Sequence, residues 1–337
     1  MFKVINGIFA TCLAITIGLS ALPCRAEVVR QDFIKLGNED KRPIYEWRDP
    51  SLSTKGVIVT IHGVSLHGGV FDALARYLAS EGFTVLSPDL VGHGRRHYEK
   101  DVADFDPIAD YEKAEIDLAE TLKEIRSEFT GKKVFWLGES LGSNYAVRIA
   151  AKHPELVDGL ILSAPTIRRH HGAPAKLMSD MCVNTLIAPN KQLSLKNYAS
   201  KYLADDPKII NDYLADPLMR KSLSPRELLS GRKVIKSTLP YAEEIKNNMP
   251  VLVIQGTLDR MVQAIAAEDL MSRMKSNDRT LHWAENRGHL LFMTAHVQPD
   301  LEVVVDRWLN THLETPQVYT TASDLPNETS AHGSIAN

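Results

Sequence analysis

The chain has 337 residues, is 44% hydrophobic and 24% charged, and carries a formal net charge of −3. These are the values of an ordinary globular protein long enough for one large α/β domain, and with no basic stripe they exclude nucleic acid as the main partner. Of three cysteines only Cys182 lies beyond position 24, which excludes a disulfide framework and a cysteine-based metal site in the mature chain.

The first 26 residues read as a secretory signal. Lys3 gives a positive start, residues 7–22 an apolar run, Pro23 a break, and Cys24-Arg25-Ala26 a cleavage site after Ala26. Export, periplasmic or secreted, is the expectation; an uncleaved signal that anchors the chain in a membrane is the alternative. The folded domain then spans 27–314. Residues 32–36 and 44–47 suit antiparallel edge strands. A β-branched run predicts a strand over 57–61, followed by a helix over 71–79 and a strand over 83–86 that stops at Pro88. A long amphipathic helix over 109–129 closes at Gly131, and a strand over 133–137, a helix over 140–152 and a strand over 160–162 follow.

From 165 to 249 the patterns are helical, without a strand signal. Leu177, Met178, Met181 and Leu186 give this stretch an apolar side, and inward packing is the default for such positions. An excursion of that length after one strand reads as a cap over an active site. The cap also offers a surface for transient contact with a membrane. The rhythm then resumes with a strand over 251–254, a helix over 262–274, a strand over 280–283 and a closing helix over 301–313. Residues 315–337 are polar and read as a disordered tail. Strands alternating with helices mean βαβ units and a mostly parallel sheet.

Gly138-Glu139-Ser140-Leu141-Gly142 matches G-x-S-x-G between a predicted strand and a predicted helix, the setting of a nucleophile elbow. A serine hydroxyl needs a base, and His289 stands just past the last strand, at the sheet end where ligands collect in open α/β folds. His62 also follows a strand, but Gly63 and the loop after it suit a different role; His93 suits a structural one, His170 and His171 have no partner at metal-ligand spacing, and His282 points from a strand. Asp259 follows the strand over 251–254, and the order Ser140, Asp259, His289 suits an acid that orients the base. A helix N-cap is its structural alternative. The amides of Leu141 and Val64 are the expected oxyanion donors. This chemistry requires no metal and no cofactor.

Ile61-His62-Gly63, Asp89-Leu90-Val91-Gly92-His93-Gly94, the elbow itself, Gln255-Gly256-Thr257-Leu258-Asp259 and Gly288-His289 together resemble the monoacylglycerol lipases and lysophospholipase-like hydrolases, a group classed with the serine aminopeptidases of type S33. Asp216-Pro217-Leu218 resembles a cap motif of the same group. The resemblance covers about 40–312 and implies the α/β-hydrolase fold, with a mostly parallel central sheet flanked by helices and a helical cap insertion. It also implies the triad and a lipid or other small-molecule ester with one acyl chain as substrate. Ser143 stands where a further glycine is common, and Arg95-Arg96-His97-Tyr98 replaces a small-residue loop. Two other readings stand beside it. An aminopeptidase would draw an acidic amine pocket from Asp205, Asp206, Asp212 and Asp216; a silent binding scaffold would be expected to have lost one of the three triad residues.

Overall fold

The computed structural model describes residues 27–36, 42–102, 104–167 and 175–313. The signal expected over 1–26, the tail expected over 315–337, and His170 and His171 lie outside them. Eight strands form one sheet: β1 (Val29–Gln31), β2 (Ile44–Arg48), β3 (Gly56–Ile61), β4 (Thr84–Pro88), β5 (Lys133–Glu139), β6 (Gly159–Ser163), β7 (Val251–Gly256) and β8 (Arg279–Ala284). Their spatial order is β1-β2-β4-β3-β5-β6-β7-β8. Every pair from β4 across to β8 is parallel, and β1 and β2 join antiparallel at one edge.

That edge differs from the sequence expectation. Residues 29–31, not 32–36, pair with β2, and the later stretch makes only an isolated bridge between Ile34 and Arg42. The apolar alternation at Ile34 and Leu36 comes from their burial in the core, without ladder pairing. Arg30 fixes the true edge strand: its guanidinium lies over the rings of Tyr45 and Trp47 and pairs with Asp32 and Asp72.

Helices α1 (Asp72–Ser80), α2 (Tyr111–Glu128) and α3 (Leu141–Lys152) connect the strands up to β6. Between β6 and β7 the chain forms α4 (Ala175–Ile187), α5 (Lys196–Tyr202), α6 (Pro207–Ala215) and α7 (Pro225–Lys236), and after β7 come α8 (Ile265–Arg273) and α9 (Pro299–Leu313). Local chemistry sets the starts. Asp206 caps α6 by accepting from the Lys208 amide, and Ser224 with Glu227 forms a capping box on α7; each helix has proline in its first turn. A two-residue ribbon, Leu193–Ser194 with Ser222–Leu223, also crosses this stretch. Two residues are too few to leave a periodic signal, which is why the sequence gives none.

Alternate residues of the central strands enter opposite cores, as the two-residue period of a strand requires. Val57, Val59, Val134, Trp136, Val251 and Val253 face α2, α3 and α8. Ile58, Phe135, Leu137, Leu252 and Ile254 face α1 and α9. Both faces of the central strands β3 to β7 are thus covered. On α4, Leu186 is 87% exposed, and Val183 and Ile187 on the same face are exposed with it. Inward packing therefore does not hold for Leu186; the side chains of Leu177 and Met178 lie outside what is described.

Candidate active site

β5 ends at Glu139 and α3 begins at Leu141, so Ser140 alone forms the turn, with φ 58° and ψ −118°. A left-handed φ at a non-glycine residue costs about 1–3 kcal/mol and persists only where neighbours impose it. Here the Ser140 amide donates to the Ser163 carbonyl at 2.9 Å. Ser143 Oγ donates to the carbonyls of Gly138 and Ser163, at 2.7 and 2.8 Å. The departure from glycine at 143 thus ties the elbow to β6. The glycines have a separate cause. A Cβ on Gly138 would stand 2.3 Å from the Gly142 backbone, and one on Gly142 2.0 Å from the Ile61 carbonyl oxygen.

Ser140, His289 and Asp259 are buried together beyond the C-terminal ends of β5, β8 and β7. Ser140 Oγ lies 2.9 Å from His289 Nε2, and His289 Nδ1 lies 2.8 Å from Asp259 Oδ2. A carboxylate only accepts, so Nδ1 carries the hydrogen and Nε2 is left free to accept from Ser140. Asp259 Oδ1 accepts the amides of Met261 and Val262, each at 2.8 Å. The same carboxylate therefore holds both the imidazole and its own loop. That loop delays the helix expected from 262, and α8 starts at Ile265. Burial alone would raise the Asp259 pKa, but the His289 charge and hydrogen bond, with the two amides, outweigh it and hold the carboxyl below its ordinary range.

Leu141 is the first residue of α3, so its amide has no acceptor within the helix and points toward the elbow with the positive end of the helix dipole. Val64 lies in the loop after β3, and that loop touches the elbow: a Cβ on Gly63 would stand 3.1 Å from Ser140 Cβ. Val64, Ser140 and His289 line one pocket, whose remaining walls include Met181, Leu195, Leu203, Leu228 and Ile235 from the stretch between β6 and β7.

Two contacts were not read from the sequence. Thr166 Oγ1 is 3.1 Å from Ser140 Oγ, and Gln255 Nε2 donates to Asp259 Oδ2 at 3.1 Å. Thr166 follows the end of β6, while Gln255 is the second-last residue of β7, and each meets the triad only through the fold, with no local sequence pattern that marks it. In the Arg95-to-Tyr98 segment Arg96 is buried and pairs with Asp117 at 2.7 Å, and the exposed Tyr98 donates to the Met219 carbonyl at 3.0 Å. His62 and His93 are buried supports. His62 Nδ1–H donates to the Gly63 carbonyl, while Nε2 accepts the Leu90 amide at 3.1 Å; His93 Nδ1–H donates to the Val91 carbonyl. Among the described residues no cluster of three or more His, Cys, Asp or Glu suits a metal ion.

The Leu90 contact forces His62 to be neutral, since an imidazolium has no acceptor. Burial lowers its pKa from 6.5 to about 3, and burial also lowers that of His93 well below its ordinary value. Both stay unprotonated in the folded chain while the unfolded chain binds protons below pH 6.5, so stability falls as pH falls through the window from 6.5 to about 3. Asp89 and Glu139, whose pKa values burial raises, act in the opposite sense. The expected sign is that of the two histidines. At pH 4.5 His62 alone accounts for roughly 3 kcal/mol. Urea unfolding is expected to show a clearly lower midpoint at pH 4.5 than at pH 7; a flat midpoint would contradict the neutral assignment.

The family described as serine aminopeptidase, S33, matches residues 53–295. The chain belongs to this family. Human monoglyceride lipase is 29% identical over 269 residues, which cover 77% of this S33 chain and 84% of the human protein. The monoacylglycerol lipase of Mycolicibacterium smegmatis is 24% identical over 280 residues, or 81% and 94% of the two chains. The crystal structure of a soluble variant of monoglyceride lipase from Saccharomyces cerevisiae, in complex with a substrate analog, matches 83% of this chain and 96% of its own at a TM-score of 0.69. At 19% identity that likeness bears on the S33 chain's fold, the α/β-hydrolase fold.

Proposed function

We propose that this chain hydrolyses carboxylic esters with one acyl chain, of monoacylglycerol or lysophospholipid type. The hydrogen-bonded row Asp259–His289–Ser140, at the base of an apolar-walled pocket, carries the reading. Ser140 Oγ attacks the ester carbonyl as His289 Nε2 takes its proton. The amides of Leu141 and Val64 receive the oxyanion. His289 then returns the proton to the leaving alcohol, and the acyl group stays on Ser140. Water, deprotonated by His289, cleaves that ester, releasing the acid and restoring the serine. The helices between β6 and β7 act as the cap that receives the acyl chain.

An aminopeptidase is less well supported, because no carboxylate lines this pocket among the described residues. The acids considered for it are engaged elsewhere. Asp205 pairs with Arg260, Asp206 caps α6, Asp212 meets His296, and Asp216 meets His67. Among the described residues the permanent cation in this pocket is Arg232. A panel of short and long p-nitrophenyl esters, monoacylglycerols, lysophospholipids and aminoacyl amides, with Ser140→Ala as control, decides. Turnover of long-chain monoesters and none of the amides is expected; amides cleaved faster than esters would reverse the reading. Export is part of the proposal, and the mature protein purified with its native leader is expected to begin at Glu27. An intact Met1 would leave the anchored alternative.

A further inference from the structure

Glu139, the residue before the nucleophile, is a buried carboxylate that the proposed reaction leaves unused. No lysine or arginine pairs with it among the described residues. Three hydrogen-bond donors face it instead. Oε1 accepts the Leu291 amide at 2.9 Å; Oε2 accepts the Phe292 amide at 2.8 Å and Ser163 Oγ–H at 3.0 Å. Leu291 and Phe292 follow His289 by two and three residues. The carboxylate therefore bridges the end of β5 to the segment that carries the imidazole. The reacting pair, Ser140 and His289, spans the same gap. Each of the three contacts is a donor, so the group that fits is an acceptor on both oxygens, and an ionised carboxylate is that group. Its charge also meets His289: burial pushes the Glu139 pKa up, and the two amides, Ser163 and the imidazole's positive charge oppose that rise. His289, Ser163 and the two amides are the groups that face it.

We propose that Glu139 is a positioning residue for hydrolysis: its carboxylate clamps the His289 segment against the elbow and stabilises the imidazolium that forms when Ser140 gives up its proton. This rests on Ser140 and His289 acting as nucleophile and base. The clamp holds the donor–acceptor distance before substrate arrives. The anion lowers the cost of the charged imidazole during each transfer, in a buried place where water screens little.

Glu139→Gln keeps the shape but sets an amide NH2 against a backbone N–H or the serine hydroxyl and removes the charge. On a short ester, kcat is expected to fall about tenfold or more with KM within about twofold, because the lost contacts serve the transition state and not substrate binding. The acid limb of kcat/KM, which reports the protonation of His289 in the free enzyme, is expected to move to lower pH by about half a unit or more, since an imidazole without its neighbouring anion is harder to protonate. A purely structural role would leave that limb where it is. A folded Glu139→Gln with wild-type kcat and limb overturns the proposal. If the variant does not fold, Ser163→Ala decides, since it withdraws one of the three donors that hold the carboxylate in place and ionised: a two- to fivefold loss of kcat with a smaller shift of the limb in the same direction supports the proposal, and an unchanged profile overturns it. Ser140→Ala in the same assay separates the two levels. Residual turnover there defeats the nucleophile assignment, whereas a dead Ser140→Ala beside an unaltered Glu139→Gln defeats only the role given to Glu139.

Discussion

Asp259→Asn is expected to lower kcat for a monoester by about 10⁴-fold with little change in KM. The cause is the choice of tautomer. Asp259 accepts from four donors at once: His289 Nδ1–H and Gln255 Nε2 on Oδ2, and the amides of Met261 and Val262 on Oδ1. An asparagine retains one acceptor oxygen. The two backbone donors claim it, because they are fixed within the loop, and the NH2 then faces His289. The imidazole responds by moving its hydrogen to Nε2, which leaves nothing to take the Ser140 proton. Steady-state kinetics on a short ester, with circular dichroism to confirm folding, checks this. A loss of less than about tenfold would mean that another group orients the base.

Gly142→Ala is expected to lower Tm by roughly 6–10 °C and to abolish turnover even in the fraction that folds. The added Cβ would stand 2.0 Å from the Ile61 carbonyl oxygen and 2.8 Å from its carbon, a collision with backbone that no rotamer relieves. Relief requires α3 to move away from β3, at a cost of about 3 kcal/mol or more. That movement separates the Leu141 amide from the Val64 loop, so the two proposed oxyanion donors no longer converge. Gly131 gives the contrast. Its φ is 79°, but nothing lies within 4 Å of a Cβ there, so Gly131→Ala is expected to cost only about 1 kcal/mol and to spare activity. Thermal melts of the two variants side by side separate close approach from backbone conformation. Equal losses would show that the elbow is looser than its contacts indicate.

The parallel core was legible because the strands β3 to β7 each carry a short β-branched or apolar run with glycine or proline at or just past the end, and both faces of these strands are buried. The edge was less so. Ile34 and Leu36 alternate like a strand yet reach the core from an irregular segment, while the true edge residues, 29–31, are mostly polar and owe their place to Arg30 and its ring and carboxylate partners. The elbow could be read because its motif is local, five residues between a strand and a helix. Asp259 and His289 could be read because strand ends point to them. Thr166, Gln255 and the Glu139 clamp were hidden, since each contact joins separate strand ends or a strand end to a distant loop, and no single stretch of chain records the meeting. The start of α8 was displaced for a similar reason: Asp259 spends its cap on the loop before the helix. In α4 the apolar period was visible, but which side faces inward was not, and Leu186 proves to face outward.

Incubation with a fluorophosphonate probe near neutral pH, followed by peptide mapping of the adduct, tests the central assignment most directly. A single adduct on Ser140 is the predicted result, absent in Ser140→Ala and slowed by several orders of magnitude in His289→Ala. An adduct on another residue, or none on a folded wild-type protein, would contradict it.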